Sequence, residues 1–352
     1  MDNMISIVAA DRIVDHVGSH QETDEVRRML KRSGIPVSEC KIAPLKMPWN
    51  EPLPHGYLKG ACAPLQAIRS FGQSLSQNDT QALVLTGVNH LRSDYTPSER
   101  RKQMKVFKGG RTHLSAYDEL AGVFARKNRI SKEGFRGIAA SLFENYKKTF
   151  QSLKHHGTLP QKKWFERISE YFRGVDCANP LVDFSGCVVM VSDAVVKQCQ
   201  IPREQCVRIA ACTLMESGHD GPEEIETISA YIPITGAFEQ ACASAGIDFR
   251  QAFLSRRAVL EVYTCYPVVP MAFLLRSGMV EHPSEIPSFL ERYEITITGG
   301  LNLARAPWNN TTLNTLVSMV HLLRSDKAGP TIGGIHGNGS LGYQQGFLIL
   351  TR

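Results

Sequence analysis

The sequence predicts a layered α/β fold, and three observations support this prediction. Short apolar runs typical of buried strands alternate with longer segments whose apolar residues recur at helical spacing. One loop–helix–strand pattern occurs twice along the chain. The length of 352 residues is enough for two or three domains and a large core. Strands that alternate with helices favour a sheet with helices packed on its faces.

The first half of the chain contains two predicted strands, Ile5–Ala9 and Ala82–Leu85, and a helix that begins near Cys62. Residues 95–179 differ in character because they are charged, helical and carry scattered aromatic residues. Within them, Ser131 is expected to cap a helix that starts near Lys132. We therefore interpret 95–179 as an inserted domain.

From about residue 196 the alternation of strands and helices returns. A helix is predicted over 223–245, and the strand VLEVYTC over 259–265. The apolar run VVPMAFLLRSGM from Val268 has the composition of a buried helix. The short apolar run Phe347–Leu350 near the end of the sequence is typical of a buried strand.

The repeated pattern covers the segments that begin at Cys62 and Asn309. Each has an amphipathic helix, a polar turn and a short strand that is expected to end at a glycine. From Cys62 to Gly87 is 25 positions, and from Asn309 to Gly334 is also 25. The match indicates two similar halves, each with a polar loop at the start of a helix.

Composition excludes several classes of protein. The hydrophobic fraction is 43%, and no run approaches the eighteen apolar residues of a membrane-spanning helix, so membrane insertion is not expected. The first residues lack the basic segment of a secretory signal. Nine cysteines without a CxxC pair indicate free thiols, a cytoplasmic location and no metal site.

The glycine-rich stretch GNGSLG, 337–342, matches the GxGxxG pattern of dinucleotide-binding loops. Such a loop needs a helix after it, whose N-terminus holds the pyrophosphate. Here a short apolar strand follows instead. The context therefore argues against dinucleotide binding and leaves the glycines for another role.

Cys62 is the first candidate for chemistry, because it precedes a helix and follows the glycine-rich segment HGYLKGA. The positive end of a helix dipole and its free N–H groups favour the thiolate form of a cysteine. A buried packing cysteine is the alternative interpretation, and most of the other cysteines are expected to be of that kind.

Three later segments could complete a site. Tyr263, Cys265 and Tyr266 follow a predicted strand, where side chains project into clefts of α/β folds. His336 lies within HGNG and is a candidate general acid or base. Asn309 and Asn310 stand at the start of a predicted helix. They either polarise a carbonyl oxygen or act as simple N-caps.

Basic residues concentrate in RRKQMKVFKGGR, 100–111. The run is either a solvated surface or a patch for a phosphorylated ligand, and the sequence leaves both open. Aromatic residues do not interleave with the basic ones as a nucleic-acid stacking platform requires, so nucleic acid is not an expected partner.

Several loops resemble, in order, those of the thiolase superfamily. CAPLQAI from Cys62 resembles the segment of the nucleophilic cysteine, and EVYTCYP, 261–267, stands where the family has NEAF or HDCF. GGLNLARAPWNN, 299–310, is similar to the GGxxxxGHPxGA loop. HGNGSLG is similar to the last glycine-rich turn. NPLVDFSGCVVMVSDAVV, 179–196, resembles the return of the chain into the core.

This resemblance implies a five-layered αβαβα fold of two duplicated halves with an inserted helical loop domain. The first half would comprise 1–94, completed by 180–195, and the second 196–352. The inserted domain, 95–179, would lie on the coenzyme A side. By resemblance, we expect a homodimer or tetramer, and an accessory protein as a further partner.

The resemblance also implies roles for single residues. Cys62 would be the acylated nucleophile, Cys265 the acid–base at the substrate α-carbon, and Tyr263 a substitute for the oxyanion-hole Asn or His. The family histidine of GHP is Ala306 here, and His336 is the candidate to replace it. The substrate pocket would include Asn309, Asn310, Asn338 and Gly339. Coenzyme A would contact Arg101, Lys105, Lys108 and Arg111.

The implied function is an acyl-CoA C-acyltransferase of lipid metabolism. It would form an acyl-cysteine and make or break a C–C bond between acyl-CoA units. The coenzyme A thioester is the substrate, and no tightly bound cofactor is expected. The alternative is a catalytically weak thiolase-like protein that binds acyl-CoA or serves as a subunit of an acyltransferase assembly.

Overall fold

The structure, a computed structural model, describes residues 4–77, 80–153, 158–325 and 329–352, with Lys108 described by its backbone alone. Strands and helices alternate through most of this part of the chain, as the sequence predicts. No helix in the described ranges combines the length and hydropathy that crossing a bilayer requires.

The strands and helices before residue 200 fall into two groups along the chain. The first group is β1 (Ile5–Val14), β2 (Val17–Ser19), α1 (Gln21–Arg32), β3 (Val37–Ile42), β4 (Tyr57–Leu58), α2 (Ala63–Ser76) and β5 (Ala82–His90). The second is α3 (Pro97–Gln103), α4 (His113–Lys127), α5 (Lys132–Ser152), β6 (Asp183–Ser192) and α6 (Asp193–Gln198).

The remaining elements form the second half of the fold. They are β7 (Val207–Glu216), α7 (Ile225–Ile228), α8 (Ile232–Ala245), α9 (Phe249–Leu254), β8 (Ala258–Glu261), α10 (Val268–Arg276), α11 (Ile286–Arg292), α12 (Gly300–Leu303), α13 (Thr311–Ser325), β9 (Ile332–Gly339) and β10 (Gln344–Thr351).

The sheet consists of two halves with the same topology. In the first, the order is β3-β5-β6-β1, and in the second it is β8-β9-β10-β7. In each half the first two strands are parallel and the other neighbours are antiparallel. The halves join edge to edge where Ile5–Ile7 of β1 pairs with Val207–Ile209 of β7. This duplication confirms the repeat seen in the sequence.

Helices cover both faces of each half-sheet, which gives five layers. Helices α2 and α13 share one core with the inner faces of both halves, through residues such as Phe71, Leu316 and Leu348. On the outer face of the first half, α1 packs through Leu30. On the outer face of the second half, α8 and α9 contribute Phe238 and Phe249. Alternate strand residues face the two cores, as period-2 patterning requires.

Most of the predicted elements are confirmed. The apolar positions of α2 are buried, β5 and β10 lie where their apolar runs predict them, and α5 begins at Lys132. The Ser131 hydroxyl accepts the N–H of Gly134 and so caps α5 as expected.

Three predicted boundaries are wrong. The helix over 223–245 is broken into α7 and α8, because Tyr231 adopts a left-handed φ of 50° between them. The strand VLEVYTC pairs only as far as Glu261. The strand expected to end at Gly334 continues to Gly339, because β10 pairs along its whole length.

At Gly87, β5 lies directly against the turn that leads into α13. A Cβ at this position would lie 1.7 Å from Oδ1 of Asn310 and 3.2 Å from Cδ2 of Leu313. We expect Gly87→Ala to lower the free energy of unfolding by about 1–3 kcal/mol, because overpacked cores must shift. Denaturant unfolding measures this change.

Gly137→Ala is the matched control. Gly137 lies on the exposed side of α5, and a Cβ there would meet no atom within 4 Å. This substitution is expected to raise stability by about 0.5–1 kcal/mol, because alanine favours the helix. Equal effects of the two substitutions would contradict the close approach at Gly87.

Candidate active site

A cavity of about 400 Å³ lies where several of the predicted site loops meet. Its walls come from the start of α2, the residues after β8, the loop before α13, and α3 and α4 of the inserted region. Most of its lining is apolar or aromatic. Ligand sites in proteins commonly have this size and character.

Cys62 lies at the N-terminal end of α2, directly beyond the cavity wall formed by Gly60 and Ala61. Its side chain is fully buried and packs against Gly337, and its Sγ lies 4.0 Å from the carbonyl oxygen of Gln344. Burial raises the pKa of the Cys62 thiol, so the thiolate expected from the helix dipole is not favoured. Its role as nucleophile stays a prediction.

Cys265, by contrast, lines the cavity itself. Its thiol donates to the hydroxyl of Tyr117 at 3.4 Å. Tyr117 in turn donates to the carbonyl oxygen of Ser340 at 2.6 Å. Burial raises the pKa of Cys265 to about 12, and the Tyr117 hydroxyl only partly opposes this. Cys265 is therefore a protonated thiol at neutral pH, held in a hydrogen-bonded network.

Tyr263 and Tyr266 supply further phenol groups to the same wall. The ring of Tyr266 stacks on Tyr117 with centroids 4.2 Å apart. Burial raises the pKa of both Tyr263 and Tyr266 well above the usual value, so both remain hydrogen-bond donors. A donor at Tyr263 suits the oxyanion-hole role predicted for this position.

His336 lies close to Tyr263 but does not line the cavity. Its Nδ1 accepts the backbone N–H of Tyr263 at 3.4 Å, and its Nε2 lies 2.8 Å from Oε1 of Gln345. These contacts fix the neutral tautomer with the proton on Nε2, so neither nitrogen is left for a substrate. The acid–base role of His336 stays a prediction, and the geometry does not support it.

The other predicted pocket residues lie in three different places. Asn309 lines the cavity and donates to the carbonyl oxygen of Ala43 at 2.8 Å. Asn338 is buried behind the wall, where it donates to Tyr117 at 3.2 Å, and Asn310 is buried against Gly87. Gly339 lines a second, more polar chamber of about 350 Å³.

The second chamber adjoins the first and shares Trp49, Gly60 and Ser340 with it. Lys59 and Asp220 are its charged lining residues. Lys59 donates to the carbonyl oxygen of Trp49, and burial raises the pKa of Asp220. The two chambers lie on either side of the segment that leads into Cys62.

Two of the four predicted coenzyme A contacts lie at the cavity. Arg101 and Lys105 line it and are also exposed to solvent, which places both at its opening. Arg111 is instead paired with Glu119 at 2.8 Å on the surface. The side chain of Lys108 lies outside the described residues. The basic run thus supplies cations to the cavity mouth at Arg101 and Lys105.

Sequence reasoning missed two cavity residues of α4, His113 and Tyr117. The Thr112 hydroxyl accepts the N–H of Ser115 and fixes the start of the helix at His113. Residues four apart share a helix face, so both side chains reach the cavity. The T-x-x-S pattern at 112–115 was the available sequence signal for this helix start.

One group of possible metal ligands occurs among the described residues, at Asp11, Glu22 and His321, with ligand atoms within 4.8 Å of one another. Each is already engaged by the protein. Asp11 accepts from Thr23, Glu22 pairs with Arg324 at 2.7 Å, and His321 lies 2.6 Å from the carbonyl oxygen of Ala10. We assign no metal to this group.

The chain has the thiolase fold. Neither the models of known protein families nor the curated proteins match its sequence. Solved structures match its fold, and the crystal structure of a monomeric SCP2-thiolase-like protein type 1 from Mycobacterium smegmatis has a TM-score of 0.72 at 14% identity. That match covers 100% of this chain and 78% of the other.

Two further solved structures show the same fold. Human mitochondrial 3-ketoacyl-CoA thiolase in complex with CoA has a TM-score of 0.66 at 12% identity, with 99% of this chain and 98% of the other covered. The Ltp2-ChsH2(DUF35) aldolase has a TM-score of 0.65 at 14% identity, with 99% and 97% covered. Likeness at these identities establishes the fold, and function must be argued from the site.

The buried imidazole of His336 predicts a pH dependence of stability. Burial lowers its pKa from 6.5 to about 4. The unfolded chain then binds this proton at higher pH than the folded chain, so stability falls as the pH drops from about 6.5 to about 4. A shift of this size corresponds to on the order of 3 kcal/mol.

We therefore expect His336→Gln to lose part of this pH dependence in urea unfolding measured across that range. His55→Gln is the control, because His55 is exposed and should leave the wild-type dependence unchanged. The same slope in wild type and His336→Gln would show that the imidazole is not held neutral by burial.

Proposed function

We propose that the protein binds an acyl-CoA in the 400 Å³ cavity and makes or breaks a C–C bond beside its thioester carbonyl. The observation that carries the proposal is the pairing of an apolar cavity with two cations at its mouth, Arg101 and Lys105. An acyl chain and pantetheine arm suit apolar walls, and the coenzyme A phosphates suit cations. A solved structure of this fold with CoA bound supports the same ligand.

The chemistry is supported by the donors around Tyr263. Carbon–carbon bond chemistry beside a thioester passes through an enolate, whose oxygen needs hydrogen-bond donors. The phenol of Tyr263 and the thiol of Cys265 are protonated and face the cavity. Once the thiol of Cys265 turns from Tyr117 to the substrate, both groups can stabilise negative charge on a thioester oxygen without themselves being ionised.

In the first candidate route, Cys62 takes the acyl group. Its sulfur attacks the thioester carbonyl, and coenzyme A leaves as the thiol with the proton that Cys62 gives up. The enolate carbon of a second acyl-CoA then attacks the carbonyl of the acyl-cysteine, so the C–C bond forms, the C–S bond breaks and the Cys62 sulfur is released. Gly60 and Ala61, which directly precede Cys62 in the chain, line the cavity, and this nearness supports the route. It requires the thiol to move into the cavity and lose its proton, because the side chain is buried and its pKa is raised.

In the second candidate route no acyl-cysteine forms. The bound acyl-CoA either reacts directly, or the protein binds it without catalysing a reaction. The specific observation in its favour is that Cys265, Tyr117 and Tyr263 line the cavity whereas Cys62 does not. One similar solved structure is an aldolase. Aldol cleavage needs an enolate but no acyl-enzyme, so it fits this arrangement of donors.

Assembly and cellular location stay predictions. The homodimer or tetramer, the accessory protein and the cytoplasmic location rest on the resemblance and the cysteine content. Among the similar structures, one protein is described as monomeric and another as a complex of two proteins.

Charge reversal tests whether the cations at the cavity mouth bind the phosphates of coenzyme A. We expect Arg101→Glu and Lys105→Glu each to weaken CoA binding about tenfold or more, because each places a negative charge near the phosphates. Isothermal titration calorimetry with CoA measures the affinity. Lys197→Glu, on exposed α6 of the outer layer, is the control and should bind as wild type does. Equal affinities in all variants would place CoA elsewhere.

The two routes are separated by mass spectrometry of the intact protein and its peptides after incubation with acetyl-CoA. The acyl-Cys62 route predicts a gain of one acetyl group on the peptide of Cys62, lost in Cys62→Ala and retained in Cys265→Ala. The direct route predicts CoA binding with no covalent adduct. An adduct on Cys265 alone would contradict both routes as written.

A further inference from the structure

The proton acceptors on the cavity wall are few. Among the described residues that line it there is no Asp or Glu. Its titratable groups, apart from one histidine, are Arg101, Lys105, Tyr117, Tyr263, Cys265 and Tyr266. The first two are cations, and burial raises the pKa of the other four, so they keep their protons. Of the described lining residues, His113 is therefore the one titratable group that is an unprotonated base at neutral pH, because burial lowers its pKa to about 4.

The surroundings of His113 fix its orientation. It is the first residue of α4, and Thr112 caps the helix, so its backbone is held in place. Its ring lies against Phe107, with centroids 4.9 Å apart, and edge-on to Trp308 at 5.3 Å. Trp308 lines the same cavity and donates its backbone N–H to Ala306 at 2.7 Å. The imidazole therefore packs onto the loop that precedes α13.

One ring nitrogen of His113 is hydrogen-bonded, and no group in the described part of the chain bonds to the other. A hydrogen bond to the backbone of Met104 engages one nitrogen as a donor. In a neutral imidazole the second nitrogen is then an acceptor. His336 differs, because both of its nitrogens are bonded to protein groups and it does not line the cavity.

We propose that His113 is the catalytic acid–base of the cavity, acting on the α-carbon of a bound acyl-CoA. This assignment rests on the proposed function. The α C–H bond breaks, its electron pair moves into the enolate with the negative charge on the thioester oxygen, and the proton passes to the free nitrogen of His113. In the reverse step the imidazolium returns the proton to the α-carbon.

Exchange of the acetyl-CoA methyl protons for deuterium in D₂O, followed by NMR, tests this step without a second substrate. We expect the wild type to catalyse exchange and His113→Gln to slow it at least about a hundredfold, the usual contribution of acid–base catalysis. His55→Gln is the matched control on an exposed histidine and should exchange at the wild-type rate.

Two further measurements separate catalysis from folding. CoA affinity by calorimetry should be within about threefold of wild type in His113→Gln, because the cations at the mouth remain. Free imidazole should partly restore exchange in His113→Ala, an effect that a purely structural histidine would not show. Restored exchange in His113→Ala, together with near-wild-type CoA affinity in His113→Gln, supports the assignment.

The outcomes that overturn the proposal are distinct. If the wild type does not bind CoA, the proposed function fails and the assignment fails with it. If the wild type binds CoA but does not exchange, the enolate chemistry of the proposed function and the assignment both fail. If the wild type exchanges and His113→Gln exchanges at the same rate, the assignment alone is overturned.

Discussion

Helices α2 and α13 pack side by side between the two half-sheets, and the location of the cavity depends on this shared layer. Because the halves are topological copies, the two helices begin at equivalent points of the fold. Their N-terminal ends place Cys62 and Asn309 near the residues that follow β8. At Gly87 the start of α13 lies so close to β5 that a side chain on the strand would collide with Asn310.

The inserted region forms the side of the cavity that the duplicated core does not cover. Helix α4 closes one side of the cavity with His113 and Tyr117, and α3 brings Arg101 to the mouth. The hydroxyl of Tyr117 joins Cys265, Asn338 and the carbonyl oxygen of Ser340 in one network. The cavity therefore joins phenol and thiol groups from the core to an imidazole and two cations from the insertion.

The sequence predicted the parts of this fold that depend on local patterning. The apolar spacing of α2 and α13, the capping of α5 by Ser131, and the repeat of 25 positions are all local signals. The grouping of Cys62, Tyr263 and Cys265 in one site came instead from the resemblance of their loops to those of the thiolase superfamily. The burial of Cys62 depends instead on Gly337 and Gln344, far along the chain. His113 reaches Trp308 across a similar separation, and no local pattern records such contacts.

The central claim is that the cavity, and not another surface, holds the thioester of an acyl-CoA. A crystal structure of the protein with CoA bound tests it most directly. The account predicts density for the pantetheine arm inside the cavity, with its sulfur beside Tyr263 and Cys265 and its phosphates near Arg101 and Lys105. Density for CoA at any other site, with the cavity filled only by water at saturating ligand, would contradict it.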